Sequence, residues 1–264
     1  MLKRFLVTVL LVVCVTTPVF AEVVEIGEDE YGITWFLTEE GPRGFIDELE
    51  VASYTSRCTC VNPGSLVNRY RKAGWTYYTT TNPDIKKVFD QGDYFLTLFY
   101  DPFEKGAVKG CLRINKEVEM SRHGYYGGFD DFGAIETNEK ILFYLVNEER
   151  VLRGLQPLEW LGDAHRSARY YASSMAILDY FSHTSHLGEG PWKRFAFWSD
   201  EPVTSVTENI AGGMGAWEAH YALMASQSHR DAILNKELTH MGTGGWFEED
   251  SEYQVYMVQH FLKY

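Results

Sequence analysis

The stretch SRHGYYGGFDDFG, residues 121–133, divides the chain into two parts with different periodicities. It carries four glycines and no apolar repeat, so a linker is expected at 121–134. Upstream, short aromatic and β-branched runs (YGITWFL, VASYTSRCTCV, GWTYYTT, DYFLTLFY, GAVKGCLRI) alternate with turn chemistry in EEGPRG, NPGS, TNPD and DPFEKG. That pattern predicts strands, with one helical insert at Ser65 to Lys72. Downstream, Ile141, Leu142, Leu145, Val146, Glu149 and Leu152 recur at helical spacing, with Thr137 or Asn138 as the expected cap and Gly154 as the stop. A second helix is expected from about Asp163, with Ala164, Ala168, Ala172 and Met175 on one stripe. A third is expected over Ala216 to Ala225, and a closing hairpin pairs Met241–Phe247 with Tyr253–Phe261. The fold class read from this is α+β.

The first residues set the compartment. Lys3 and Arg4 precede an apolar run from Phe5 to Val15, followed by Pro18 and a small residue at Ala21, which is the pattern of a secretory signal over residues 1–21. The run is too short for a spanning helix, which takes roughly 18 or more apolar residues. The expectation is therefore a protein secreted or periplasmic, outside the cytoplasm, with no transmembrane anchor once the signal is removed. About 243 residues remain, room for a β-rich domain over 22–120 and a second over 135–264 at a prior of roughly 150 residues each. Residues 22–134 carry net charge −7 and 135–264 carry −8. Neither part offers the cationic surface that phosphate backbones reward, so nucleic acid is excluded as the expected partner.

Cys14 leaves with the signal, and Cys58, Cys60 and Cys111 all lie upstream of the linker. An exported chain permits a disulfide, and an odd count leaves one thiol over. Cys58 and Cys60 flank a single residue on an expected strand, so the expected bond runs from one of them to Cys111. A metal site is the alternative, although the spacing is not that of a metal motif.

The segments LVNEERVLRGLQPLEW, YFSHTS, ENIAGG, SQSHRDAIL, MGTGG and VQHF follow one another in an order that resembles the CAP superfamily, the cysteine-rich secretory, antigen-five and pathogenesis-related proteins, in its bacterial secreted form. The resemblance covers about residues 135–264. It implies a C-terminal α-β-α sandwich, the CAP fold, with a cleft at the sheet edge, preceded by the smaller β-rich domain. In that family the cleft carries two histidines and two glutamates. Position by position these correspond to His183 in FSHTS, Glu208 in ENIA and His229 in SHR, whereas the second glutamate falls near Ser226. His186, three residues from His183, is within reach of the same place. The sequence therefore keeps three of the four cleft groups, and its C-terminal domain has no cysteine.

Three chemistries are open to such a set. His183, His229 and Glu208 could ligate a zinc-like ion with a fourth position left for water. His229 or Glu208 could act as general base in a hydrolase, although no G-x-S-x-G elbow accompanies the serines and threonines nearby. The resemblance also implies a binding module without chemistry, for a small hydrophobic ligand such as a lipid or sterol, an envelope component or a protein partner. For that role Tyr180, Phe181, Trp192, Phe195, Phe197 and Trp198 could line an apolar groove.

Each residue also has a purely structural role open to it. His183 could close a turn. Glu208, if buried, needs a partner, because an isolated ion costs several kcal/mol. His229 lies in SHRD, where Ser228 and Asp231 form an expected capping box. His123, His165, His220, His240 and His260 read as surface or packing residues.

Overall fold

The computed structural model describes residues 24–29, 32–38, 41–46, 48–55, 76–78, 86–101, 103, 107–116, 132–200 and 202–264. The expected signal sequence, Cys14, Cys58, Cys60, the helix expected at Ser65 to Lys72 and residues 121–131 of the expected linker lie outside them. Strands β1 (Val24–Glu28), β2 (Thr34–Thr38), β3 (Gly41–Ile46), β4 (Leu49–Thr55), β5 (Thr76–Tyr78), β6 (Lys86–Gln91), β7 (Tyr94–Asp101) and β8 (Ala107–Asn115) form one antiparallel sheet. Its order is β1-β2-β3-β4-β8-β7-β6-β5. The β6–β7 connection is a tight turn, and Gly92 supplies its positive φ of 57°. Cys111 is buried on β8 between Thr55 and Leu98 of the flanking strands.

Helix α1 spans Phe132–Leu152. It begins five residues before the expected cap, because Thr137 and Asn138 are not caps: Thr137 Oγ1 and Asn138 Nδ2 donate to the carbonyls of Gly133 and Ala134 one turn back. Asn138 Oδ1 instead accepts the N–H of Ala216, tying the start of a later helix to this one. The expected stop holds. Gly154 has φ 71°, and the amide of Leu155 returns to the carbonyl of Arg150. Ile141, Leu142, Leu145 and Val146 are buried as the stripe requires, whereas Leu152 is exposed.

Four helices follow: α2 (Gly162–Ile177), α3 (Pro191–Ala196), α4 (Ala216–Ala225) and α5 (Gln227–Ile233). The second sheet contains β9 (Glu159–Trp160), β10 (Ser205–Gly212), β11 (His240–Phe247) and β12 (Val255–Lys263), in the order β10-β12-β11-β9. Only the two-residue β9 runs parallel to its neighbour. α2 and α3 cover one face of this sheet and α1, α4 and α5 the other, so the C-terminal part is an α-β-α sandwich. The alanine stripe of α2 permits close packing on the sheet as well as among helices. A Cβ at Gly242 or Gly244 of β11 would fall 2.1 Å and 2.0 Å from the backbone nitrogens of His165 and Arg169. The MGTGG segment is glycine-rich because the helix backbone lies directly on the strand.

The N-terminal sheet and the sandwich share one continuous core. Trp217 of α4 packs against Trp35 and Tyr54 at centroid distances of 5.3 Å and 4.5 Å. Tyr221 stacks on Phe99 at 4.5 Å and 7°, and its hydroxyl meets that of Tyr54. Burial pushes both phenols well above their ordinary pKa; the hydrogen bond they share raises that of Tyr54 further and partly offsets the rise of Tyr221. Among the described residues no helix is long and apolar enough to cross a membrane.

Candidate functional site

The site is built around the edge strand β10. Alternation along SVTENIAG sends Glu208 and Ile210 toward α2 and α3, and Asn209 and Ala211 toward α4 and α5. Glu208 lies directly opposite His260 on β12, and Asn209 opposite Gln259.

Glu208 is buried and fully engaged. Its Oε1 accepts from Nδ1 of His183 at 2.9 Å. Its Oε2 accepts from Nε2 of His260 at 2.8 Å and from Nη2 of Arg194. Burial alone would raise this carboxyl. The hydrogen bonds from His183 and His260, with the charges of His260 and Arg194, outweigh it and hold the pKa at about 2.

Arg194 organises the loop that carries His183. Its Nη1 donates to the carbonyls of His183 at 3.0 Å and Glu189 at 2.6 Å, and its guanidinium lies 3.3 Å from the ring centroid of Tyr171. The Tyr171 hydroxyl donates to the carbonyl of Ser182. Ser185 Oγ accepts from the amides of Leu187 and Glu189 and closes the loop. His183 is thus fixed through its backbone and through Nδ1, while its side chain stays 51% exposed.

His229 approaches from the other layer. Its ring centroid is 6.5 Å from that of His183, at 44°, and its carbonyl accepts from Asn209 Nδ2 at 3.1 Å. Partial burial lowers its pKa, and the neighbouring His183 lowers it further. The two imidazoles therefore face each other across the sheet edge. Among the described residues no hydrogen bond joins His229 to Glu208.

Ser226 sits at the elbow between α4 and α5, where an extended backbone (φ −87°, ψ 126°) separates the helices. Its Oγ is 3.4 Å from that of Ser228. α5 begins at Gln227, so Ser228 lies inside the first turn and the expected Ser228–Asp231 capping box does not form. Asp231 accepts from Gln227 Nε2 instead. His186 is exposed, with its ring edge toward Tyr180 at 6.4 Å, and makes no described contact with His183. The aromatics divide. Phe195 is core at 1% exposure, whereas Phe181, Trp192 and Phe197 are exposed at 40%, 49% and 84%.

Two site residues escape a reading by sequence. His260 reads as packing, and its signal is the register that sets VQHF against ENIA, visible only once the strands pair. Arg194 has no local sign at all, being one cation in a short helix. The zinc set His183, His229 and Glu208 does not fit this geometry. Both oxygens of Glu208 already have protein donors and a guanidinium stands beside them. Two imidazoles remain, fewer than the three protein ligands of catalytic zinc sites, and among the described residues no cluster of three His, Cys, Asp or Glu is arranged to hold an ion.

Comparison with known proteins gives a consistent frame. The sequence model of the Cysteine-rich secretory protein family, CAP, matches residues 143–261. The protein YkwD of Bacillus subtilis is 34% identical over 112 residues, covering 42% of this chain and 43% of that protein. The membrane protein YlbC of the same organism is 28% identical over 218 residues, covering 74% and 59%. The chain thus spans about half the length of these curated relatives. Among solved structures, an extracellular protein containing a SCP domain from Bacillus anthracis superposes with a TM-score of 0.72 at 17% identity, covering 92% of this chain and 89% of that one. A cysteine-rich secretory protein from Staphylococcus aureus gives 0.59 at 13%, covering 88% and 82%. At these identities the likeness establishes the fold, including the presence of a region ahead of the sandwich.

Proposed function

The C-terminal domain of this chain belongs to the CAP superfamily of cysteine-rich secretory proteins, and from that premise we propose that the protein is an exported recognition module rather than an enzyme. Its cleft takes a ligand with an apolar body and a hydrogen-bonding head, the chemistry of a lipid, a sterol or another envelope component. The observation that carries this reading is the saturation of Glu208: a carboxylate with pKa about 2 and a donor on each oxygen orients its neighbours and has no proton to exchange near neutral pH. With Nδ1–H given to Glu208, His183 presents Nε2 to solvent as the polar contact. Phe181, Leu187 and Trp192, all exposed and close to His183 in sequence, supply apolar surface.

The test uses delipidated full-length mature chain with cholesterol and palmitate as probes, beside a panel of ester, peptide and glycan substrates. Uptake of one lipid probe is expected, weakened about tenfold in His183→Ala, the worth of roughly one hydrogen bond, with no turnover. Failure to take up either probe would remove the lipid reading. A second reading, hydrolysis, is favoured by the oriented His183–Glu208 pair, which resembles a base with its orienting acid. Among the described residues no serine or threonine hydroxyl hydrogen-bonds to His183 or His229. Turnover that vanishes in Glu208→Gln would establish it over binding.

A further inference from the structure

The helix that carries His229 is fastened to the N-terminal sheet by the next residue. Arg230 Nη1 donates to Asp101 of β7, at 3.3 Å to Oδ1 and 3.2 Å to Oδ2, and to the carbonyl of Met224 at the end of α4 at 2.9 Å. Its Nη2 donates to Gln227 Oε1 at 2.8 Å, and its guanidinium lies 4.5 Å from the ring centroid of Phe103. One side chain thus joins the last turn of α4, the first residue of α5 and the far sheet, and so fixes the elbow at Ser226. Asp101 is 1% exposed. Its carboxylate also accepts the amide of Phe103 at 2.8 Å, so it is set by its own strand end and cannot follow α5 if the helix shifts. From the other side Asn209 Nδ2 holds the carbonyl of His229. The backbone at 229–230 is therefore clamped between β10 of the sandwich and β7 of the N-terminal sheet, while His183 is fixed independently by Arg194 and Glu208.

We propose that the N-terminal sheet is part of the cleft: Asp101, acting through Arg230, is a positioning residue that sets the distance between His229 and His183. The role of the β-rich region is then to hold one wall of the site, and the sandwich alone has an incomplete cleft. This rests on the cleft being the functional site, but its test does not depend on any ligand.

The full-length mature chain is labelled for NMR, and the ring-to-ring NOE between His183 and His229 is recorded with that between Trp160 and His165, whose centroids are 4.9 Å apart on the opposite flank. Asp101→Asn keeps the shape of the side chain and an acceptor for Phe103. It is expected to weaken the His183–His229 NOE at least threefold and to leave the Trp160–His165 NOE unchanged, and Asp101→Glu is expected to restore the signal in part. An unchanged histidine NOE in Asp101→Asn would overturn the proposal. So would equal loss of both NOEs, because it would mean general loosening rather than positioning. Should Asp101→Asn fail to fold, Arg230→Lys keeps the charge but cannot span the carboxylate, Met224 and Gln227 together. There too an intact histidine NOE overturns the assignment, and a selective loss supports it. Lipid uptake or turnover can fail in the separate assays above without altering this outcome.

Discussion

Replacing Glu208 with glutamine tests the central electrostatic claim. The amide has the shape of the carboxylate but only one acceptor oxygen, so whichever way it turns, its NH2 faces a donor: Nδ1–H of His183, or His260 and Arg194. The magnitude follows from the pKa. A carboxyl moved from 4.5 to about 2 is worth about 2.5 units, or roughly 3 kcal/mol of stability at neutral pH. For a chain of this size that corresponds to a Tm lower by roughly 6–12 °C. The sign is fixed by linkage. The folded pKa is depressed, so the contribution is complete above pH 4.5 and is lost as pH falls through 2, the folded state giving up its advantage as the carboxyl takes a proton. Urea unfolding of wild type and Glu208→Gln, measured from pH 7 to pH 3, should therefore show a difference of about 3 kcal/mol at pH 7 that falls to about half by pH 3. A difference below about 1 kcal/mol at pH 7, or one that is constant with pH, would refute the picture of Glu208 as a buried anion held by its donors.

Three further outcomes are expected. His220 is buried, its Nδ1 has no described partner, and burial followed by the charge of Arg153 lowers its pKa from 6.5 to about 3. The unfolded chain takes up this proton below pH 6.5 and the folded chain does not, so stability falls with pH by up to about 1.4 kcal/mol per unit; His220→Leu should flatten urea-unfolding stability between pH 6.5 and 4.5, above the Glu208 window. Gly244→Ala puts a Cβ 2.0 Å from the Arg169 nitrogen and should cost on the order of 3 kcal/mol by chemical denaturation, because helix backbone cannot give way as a side chain can. Arg150 is fully buried and donates to the carbonyls of Gln156, Ile233, Asn235 and Leu238; both Arg150→Met and Arg150→Lys should lose about 3 kcal/mol in the same assay, since neither can satisfy that set.

Local pattern marked α1, α2, α4 and the closing hairpin in advance, but not the short α3, β9 or the edge strand β10 that carries Glu208. The stripe from Ile141 to Val146, the alanines of α2, the extent of α4 and the closing hairpin are local patterns, because apolar spacing answers directly to 3.6- or 2-residue repeats. The same order of segments pointed to the sandwich and to His183, Glu208 and His229. Local pattern misled where a side chain had a tertiary use. Thr137, Asn138 and Ser228 have the chemistry of caps, yet the helices start elsewhere, and Asn138 is used to hold α4.

The surroundings of the carboxylate come from contacts distant in the chain. Glu208 reads as a ligand or base until His260 arrives from the paired strand and Arg194 from a separate helix. Those two donors, with His183, turn a reactive group into a fixed anion. The joining of the two halves is likewise beyond the sequence, because the Arg230–Asp101 contact spans 129 positions. Periodicity encodes which face of an element is apolar. It does not encode which distant polar groups that face will bring into hydrogen-bonding range, and the chemistry of this site lies in that range.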